Sequence, residues 1–236
     1  MDIVRSIRTS LHQNADPATA KSGRRFFKEP INALGVKAGV VKQIAESALK
    51  ANPQFAKKDI FSACEKLWRS GCLEETFVAG TWAYAVRDDY VEDDFSVFER
   101  WVMRYVDNWA SCDHFCNHAV GELVIRYPTL VAQLKEWTSS PNRWVRRASA
   151  VSLIIPVRQG LFLEETFVIA ESLLSDPDDL VQKGYGWLLK AASEAHCDEV
   201  FRFVVARKKT MPRTAYRYAI EKMPPAKRQE AMRKDA

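Results

Sequence analysis

Residues 73–78, Leu73-Glu74-Glu75-Thr76-Phe77-Val78, recur unchanged as residues 163–168, Leu163-Glu164-Glu165-Thr166-Phe167-Val168. The two copies begin ninety positions apart, which is about two periods of a two-helix repeat unit of roughly 40–47 residues. Such units bury their apolar faces only against neighbouring units, so they stack into a helical array. The repeated segment therefore favours an all-α solenoid.

The rest of the chain has the same helical rhythm. It contains only 9 glycines, and no segment alternates apolar and polar residues as a strand does. Two helix starts are marked by a capping residue followed by proline, at Ser140-Pro141 and at Asp176-Pro177. We predict an all-α fold: an α-solenoid of HEAT-like antiparallel helix pairs, forming a single curved domain over residues 1–236 with a concave surface and no sheet.

Composition places the chain among ordinary soluble proteins. It has 236 residues, of which 47% are hydrophobic and 28% are charged. No apolar run approaches the roughly 20 residues that cross a bilayer, and residues 1–6 lack the apolar core of a signal peptide. Five cysteines, an odd number without framework spacing, fit reduced thiols. We therefore expect a cytoplasmic protein.

Charge is spread unevenly along the chain. The formal net charge is +5, but residues 202–236 contain eleven Lys and Arg against three Asp and Glu. Residues 88–107 are acidic by comparison. This asymmetry suits a chain with one basic face for a polyanion such as nucleic acid, and the alternative is a solvated helix face.

The stretch Val106-Asp107-Asn108-Trp109-Ala110-Ser111-Cys112-Asp113 contains the first candidate site residues. Trp109 and Asp113 are four residues apart, so on a helix they share one face. At about 100° per residue Cys116 and Asn117 fall in the same sector. Better core candidates, on other sectors, are Phe115, Ala119 and Leu123. For either member of the Trp109–Asp113 pair alone, core packing or capping is the competing interpretation.

A second segment contributes arginines. Arg146 and Arg147 follow Trp144 near a predicted helix start, where the helix dipole disfavours a cation. Each guanidinium therefore needs an anionic partner, and a phosphate or a carboxylate would serve. The alternative to phosphate is an ion pair with an acidic side chain such as Asp107 or Asp113.

A third segment, Lys183-Gly184-Tyr185-Gly186-Trp187, contributes a second tryptophan. Glycine inside a helix costs about 1 kcal/mol relative to alanine, and it often marks close approach of a ligand or of another backbone. Close helix packing is the simpler of these explanations. Together, one acid, two indoles and an arginine on a basic helical chain suggest a site for a cationic sugar–base transition state on DNA.

The sequence contains four closely spaced residues of the types that bind zinc, namely Cys112, His114, Cys116 and His118. On a helix the two cysteines share one face and the two histidines lie roughly 200° away, so the four cannot converge on one tetrahedral ion. A two-residue site completed elsewhere in the chain stays open. We predict no metal and no organic cofactor.

The three segments together resemble the AlkD family of DNA alkylation-repair glycosylases. The matching residues are Val106-Asp107-Asn108-Trp109 with Asp113, then Trp144 with Arg147, then Lys183, Gly186 and Trp187. The spacing between the segments also fits. Residues 35–45 resemble a further segment of that family, in which proline usually stands where this chain has Gly39.

The resemblance implies excision of positively charged N-alkylated purines, such as 3-methyladenine and 7-methylguanine, from duplex DNA by a monomer without a cofactor. It implies that Asp113 stabilises the sugar cation and activates water, while Trp109 and Trp187 flank the sugar. Arg147, with Arg146 and Lys183, would bind the DNA backbone, and the protein would associate with the nucleoid when it is bound to DNA. It also implies that the concave surface presses on the backbone at the lesion, whereas most glycosylases flip the base into a pocket.

Two other functions remain compatible with the sequence. One is a module of the same fold that recognises DNA shape without catalysis, and the other is a protein-interaction solenoid. Loss of Trp109, Asp113 or Trp187 would favour the first, and absence of the whole acid–indole–arginine set would favour the second. All of these residues are present.

Overall fold

The computed structural model describes residues 2–233, so Met1 and the end of the basic stretch, Lys234 to Ala236, lie outside the described residues. The described chain is all-α, as predicted, and contains no β-strand. Its only strand-like feature is an isolated bridge between Asn32 and Cys72. No helix in the described part is long and apolar enough to cross a membrane. The chain divides into two compact units between Ala119 and Val120.

The first unit is built around the helix that begins with the repeated segment. Its helices are α1 (Ile3–Gln13), α2 (Pro17–Gly23), α3 (Ala38–Lys50), α4 (Lys57–Trp68), α5 (Leu73–Ala85), α6 (Asp94–Tyr105) and α7 (Trp109–Phe115). Helix α5 packs against α3, α4 and α7. An aromatic core lies beside it, in which Trp68 and Phe98 each contact the Phe115 ring at centroid distances of 5.4 and 5.1 Å. Burial of these large rings supplies most of the unit's apolar stabilisation.

In the second unit the longest helix is the central one. The helices are α8 (Gly121–Arg126), α9 (Val131–Trp137), α10 (Arg143–Val151), α11 (Ile154–Arg158), α12 (Leu163–Ser172), α13 (Asp179–Ala195), α14 (Cys197–Ala206), α15 (Arg213–Ile220) and α16 (Pro225–Met232). Helix α13 packs against α10, α11, α12, α14 and α15. Short connections return consecutive helices against each other, as in α9–α10, α12–α13 and α14–α15, which is the helix-pair pattern that the sequence predicted.

The two predicted helix starts are wrong by two residues. Helix α10 is capped by Asn142 and α13 by Asp178, whose side chains accept hydrogen bonds from Trp144 N and Leu180 N at 2.9 and 2.8 Å. Ser140 and Asp176 instead accept from the backbone N–H two residues later, at 3.2 and 2.9 Å. Each therefore forms a local turn that precedes the true cap, because short polar side chains favour both kinds of bond.

The two copies of the repeated segment begin helices at the same residue but occupy different environments. Helix α5 is the second helix of the α4–α5 pair, and Val78 is fully buried. Helix α12 is the first helix of the α12–α13 pair, and Val168 is 47% exposed. The two copies of the segment therefore do not occupy equivalent positions in the helix pairs. The all-α fold that the repeat favoured is nevertheless confirmed.

Gly186 lies at a close approach between α13 and α15 in the second unit. A Cβ there would lie 2.9 Å from Ala215 O and 3.0 Å from Ala215 Cα on α15, so the predicted close packing is confirmed. We expect Gly186→Ala to lower the free energy of unfolding by about 1–3 kcal/mol, because backbone atoms cannot yield as a flexible side chain can.

The matched control for Gly186→Ala is Gly39→Ala. Gly39 also lies in a helix, but a Cβ there would meet nothing within 4 Å. The substitution should be neutral or stabilising by up to about 1 kcal/mol, because alanine is the better helix former. Chemical denaturation of the three proteins measures both values. Equal stability of the Gly186→Ala variant and the parent would contradict the packing argument.

Candidate active site

The N-terminus of α7 fixes the position of the first candidate residue. Asn108 is the N-cap, and its side-chain oxygen accepts a hydrogen bond from Ser111 N at 2.9 Å. The Asn108 amide also donates to the exposed Asp107 carboxylate at 2.8 Å. Trp109 is consequently the first residue of the helix, and the cap fixes the backbone from which its side chain projects.

Trp109 is half-buried and is held by a segment that the sequence analysis did not single out. Its indole Nε1 donates to the Phe26 carbonyl oxygen at 3.2 Å, and its ring stacks on Phe27 with centroids 5.2 Å apart and planes 19° from parallel. The structure therefore does not support the competing interpretation, in which Trp109 packs in the core. The signal available in the sequence was the adjacent aromatic pair Phe26-Phe27, which lies between Arg25 and Lys28.

Asp113 lies one helical turn after Trp109 and is also half-buried. Immediately afterwards the helix widens into a π-helical turn over Cys116–Val120, a feature that is frequent at functional sites. Cys116 and Asn117 are buried, so the shared face of a regular helix does not continue past Asp113. The predicted core residues Phe115, Ala119 and Leu123 are fully buried, as expected.

Arg147 is 5% exposed. Its guanidinium Nη1 donates to the Leu180 carbonyl oxygen at the start of α13. A Cβ at Gly184 would lie 3.3 Å from Arg147 Cγ, so this glycine admits the arginine side chain. Arg147 therefore helps to position α13, and a contact with phosphate remains a prediction.

Arg146 matches the alternative that the sequence left open, an ion pair. It forms a bidentate ion pair with Asp176, in which Nε and Nη2 donate hydrogen bonds to the carboxylate at 2.6 and 3.3 Å. Its Nη1 donates to the carbonyl oxygens of Ser140 and Pro141 at 2.9 and 3.2 Å. These bonds occupy four of the five N–H donors of a guanidinium, which leaves little capacity for DNA.

Lys183 and Trp187 both lie on α13. Lys183 forms an ion pair with Asp179 at 3.1 Å, in which both side chains are about a third exposed. Trp187 is half-buried and, unlike Trp109, makes no hydrogen bond or ring contact with any residue in the range 2–233. Its indole is thus available to a ligand.

The cysteines and histidines around Asp113 separate into different surroundings. Cys112 and Cys116 are in the core with no exposed surface, whereas His114 and His118 lie side by side with ring centroids 5.8 Å apart. Within residues 2–233 no three His, Cys, Asp or Glu side chains are arranged to hold a metal ion. The chemistry available at α7 is thus that of a carboxylate beside an indole, which suits stabilisation of a cation.

Comparison with known proteins identifies a sequence family and similar solved structures. A family of sequences described as "DNA alkylation repair enzyme" matches residues 7–223. The chain is similar in fold to the solved structure of a "Predicted DNA alkylation repair enzyme from Enterococcus faecalis", with a TM-score of 0.79 and 16% sequence identity over 90% of this chain and 98% of that one. Comparison with curated proteins gives no significant match.

Proposed function

The chain belongs to the DNA alkylation repair enzyme family, and from this premise we propose that it is a DNA glycosylase. Its substrates are positively charged N-alkylated purines, such as 3-methyladenine and 7-methylguanine, in duplex DNA. The reaction is hydrolysis of the N-glycosidic bond. The observation that carries the proposal is the Trp109–Asp113 pair, an indole and a carboxylate one turn apart and both half-exposed, in a chain of this family.

The proposed chemistry needs little from the protein because alkylation has already made the base a good leaving group. As the C1′–N bond breaks, its electron pair returns to the purine, which leaves neutral, and positive charge develops on the deoxyribose. The oxygen of a water molecule bonds to C1′ and gives up one proton to the Asp113 carboxylate and then to solvent. The carboxylate stabilises the sugar cation and positions that water.

The indole of Trp109 is held rigidly enough to contact the sugar. The Phe26 carbonyl fixes its edge and the Phe27 ring covers one face. The faces of indoles attract cationic and electron-poor groups. We propose that Trp187 also contacts the sugar, and that Arg147 positions α13, which carries Trp187.

Methylated duplex DNA tests the proposed activity directly. The protein is incubated with this DNA, and the released bases are separated by chromatography. Release of methylated purines, undiminished by a chelator, is the expected result. Binding of DNA without base release would point to a non-catalytic module that recognises DNA shape, and the absence of both would point to a protein-interaction solenoid.

Substitution of either indole should reduce excision moderately. We expect Trp109→Ala and Trp187→Ala each to slow single-turnover release of 7-methylguanine by about tenfold, because each removes one of the two proposed indole contacts with the sugar. Phe167→Ala is a control, since this half-buried ring stacks on Phe203 and has no part in the proposed site. Parental rates in both tryptophan variants would rule out these contacts.

Binding to DNA should weaken steeply with salt. Exposed cations without an ion-pair partner in the described residues lie in and between the C-terminal helices, at Lys209, Arg213, Arg217, Lys222 and Arg228. If about four of them contact phosphates, affinity falls roughly a hundredfold between 50 and 200 mM salt. Measurement of DNA affinity at several salt concentrations in this range gives the slope of log affinity against log salt concentration.

Matched arginine variants locate the origin of this salt dependence. Arg213→Ala should make the logarithmic slope shallower by about one unit. Arg158→Ala should leave it unchanged, because Arg158 is already paired with Glu194 at 3.3 Å. An affinity that does not change with salt would contradict the phosphate contacts.

A further inference from the structure

A cavity of about 550 Å³ lies within the first unit, between α3, α5 and α7. Its lining includes Phe77, Tyr84, His114 and His118. The cavity does not include Trp109 or Asp113, and the proposed excision makes no use of it. Its size is in the range of clefts that enclose a small organic ligand.

The four rings form one continuous wall. Phe77 and His114 stack with centroids 4.6 Å apart and planes 7° from parallel. His118 follows at 5.8 Å from His114 with its plane turned by 66°, and Tyr84 lies 5.4 Å from His118 at an angle of 54°. None of the four is fully buried, and all of them line the cavity. A planar group in the cavity can therefore stack on one ring and meet the next one edge to face, and both arrangements are favourable for aromatic rings.

The innermost part of this wall is fixed in place. His114 Nε2 lies 3.1 Å from the Phe77 carbonyl oxygen, which can only accept, so Nε2 carries the proton. A Cβ at Gly80 would lie 2.8 Å from His114 Cδ2, so glycine is what lets the imidazole lie against α5. Burial lowers the pKa of His114 to about 4, and the ring is neutral near pH 7.

Positive groups border the ring wall. Lys42 reaches the cavity from α3 and lowers the pKa of His118 by its charge, in addition to the larger effect of burial. The Arg87 guanidinium lies 4.7 Å from the centre of the Tyr84 ring. Glu46 is the acidic residue of the lining and lies 3.7 Å from Lys42, with both side chains mostly exposed. The cavity therefore combines aromatic surface with a net positive rim, which complements a planar anion.

We propose that this cavity binds one nucleotide unit, with the base stacked on the Tyr84 ring beside His118 and the phosphate between Lys42 and Arg87. A free mononucleotide and an unpaired nucleotide of a DNA strand share this chemistry. The proposal goes beyond the proposed excision and does not rest on it.

The four histidines of the chain provide a direct test. Their ring signals are followed by NMR while the protein is titrated with deoxyadenosine monophosphate, deoxyadenosine, inorganic phosphate or a short single-stranded oligonucleotide. His114 and His118 should shift with the monophosphate, while His12 and His196, on α1 and before α14, should not. Tighter binding of the oligonucleotide than of the monophosphate identifies a strand as the source, and the reverse identifies the free nucleotide.

Two variants separate the base contact from the phosphate contact. Tyr84→Ala should weaken monophosphate binding roughly tenfold, the usual effect of losing one stacking ring. Lys42→Gln, at an exposed position, should abolish the preference for the monophosphate over the nucleoside. Phe167→Ala is the control, with unchanged binding. The absence of selective His114 and His118 shifts with any probe at millimolar concentration would overturn the proposal, whatever the outcome of the excision assay.

Discussion

Asp113→Asn is expected to reduce single-turnover release of 7-methylguanine by about 10²–10³-fold, while the fold and DNA affinity stay nearly unchanged. The amide keeps the shape of the side chain but removes the negative charge that faces the developing sugar cation. A preorganised electrostatic group of this kind is typically worth roughly 3–4 kcal/mol in the transition state. The amide is also a poor acceptor for the proton of the attacking water, which adds to the loss.

The matched control for this variant is Asp107→Asn. Asp107 is exposed, lies two residues before Trp109 and bonds to the N-cap Asn108, so its substitution removes the same charge nearby. It should leave excision within about threefold of the parent, because exposed charges are screened by solvent. Since N7-methylated purines also leave spontaneously, rates are measured above that background. A parental rate in the Asp113→Asn protein would show that the carboxylate is not the catalytic group.

The helical fold could be predicted because its signals are local. Capping residues, helix-length apolar patterns and the scarcity of glycine all act within a few positions. The same locality explains the errors. Ser140 and Asp176 have the right chemistry for a cap, but each bonds to the second residue after it, and only then does the helix begin. The choice between these bonds depends on backbone geometry that sequence does not show.

Contacts between distant segments could not be predicted. The Phe26 carbonyl that fixes Trp109 is 83 residues away from it, and Asp176 is 30 residues from Arg146. The sequence indicated that Arg146 needs an anionic partner. It did not identify that partner, because a carboxylate and a phosphate can accept the same pair of guanidinium hydrogen bonds. Placing Trp109 and Asp113 on one turn needed only helical spacing, so that part of the site was within reach.

The largest loss of stability is expected at Glu74, in the first copy of the repeated segment. Its buried carboxylate accepts hydrogen bonds from the backbone N–H groups of Leu34, Gly35 and Val36 at 3.0, 2.7 and 3.1 Å. Glu74→Ala would leave these donors without a partner, and each costs about 1–3 kcal/mol when buried. Allowing for water entry, we expect the free energy of unfolding to fall by about 4 kcal/mol, roughly a 10³-fold change in the unfolding equilibrium.

The repeated segment supplies the control for this prediction. Glu164 occupies the same position of the second copy but is exposed, so Glu164→Ala should change stability by less than about 0.5 kcal/mol. Urea denaturation of both variants measures the difference. Glu74 also bears on the proposed site, because the loop that it holds follows the Phe26-Phe27 segment, which packs against Trp109. Excision by Glu74→Ala at a temperature where it remains folded should therefore fall toward the level of Trp109→Ala. Equal stability of the two glutamate variants would mean that the carboxylate does not hold the loop, and the proposed support of Trp109 would fail with it.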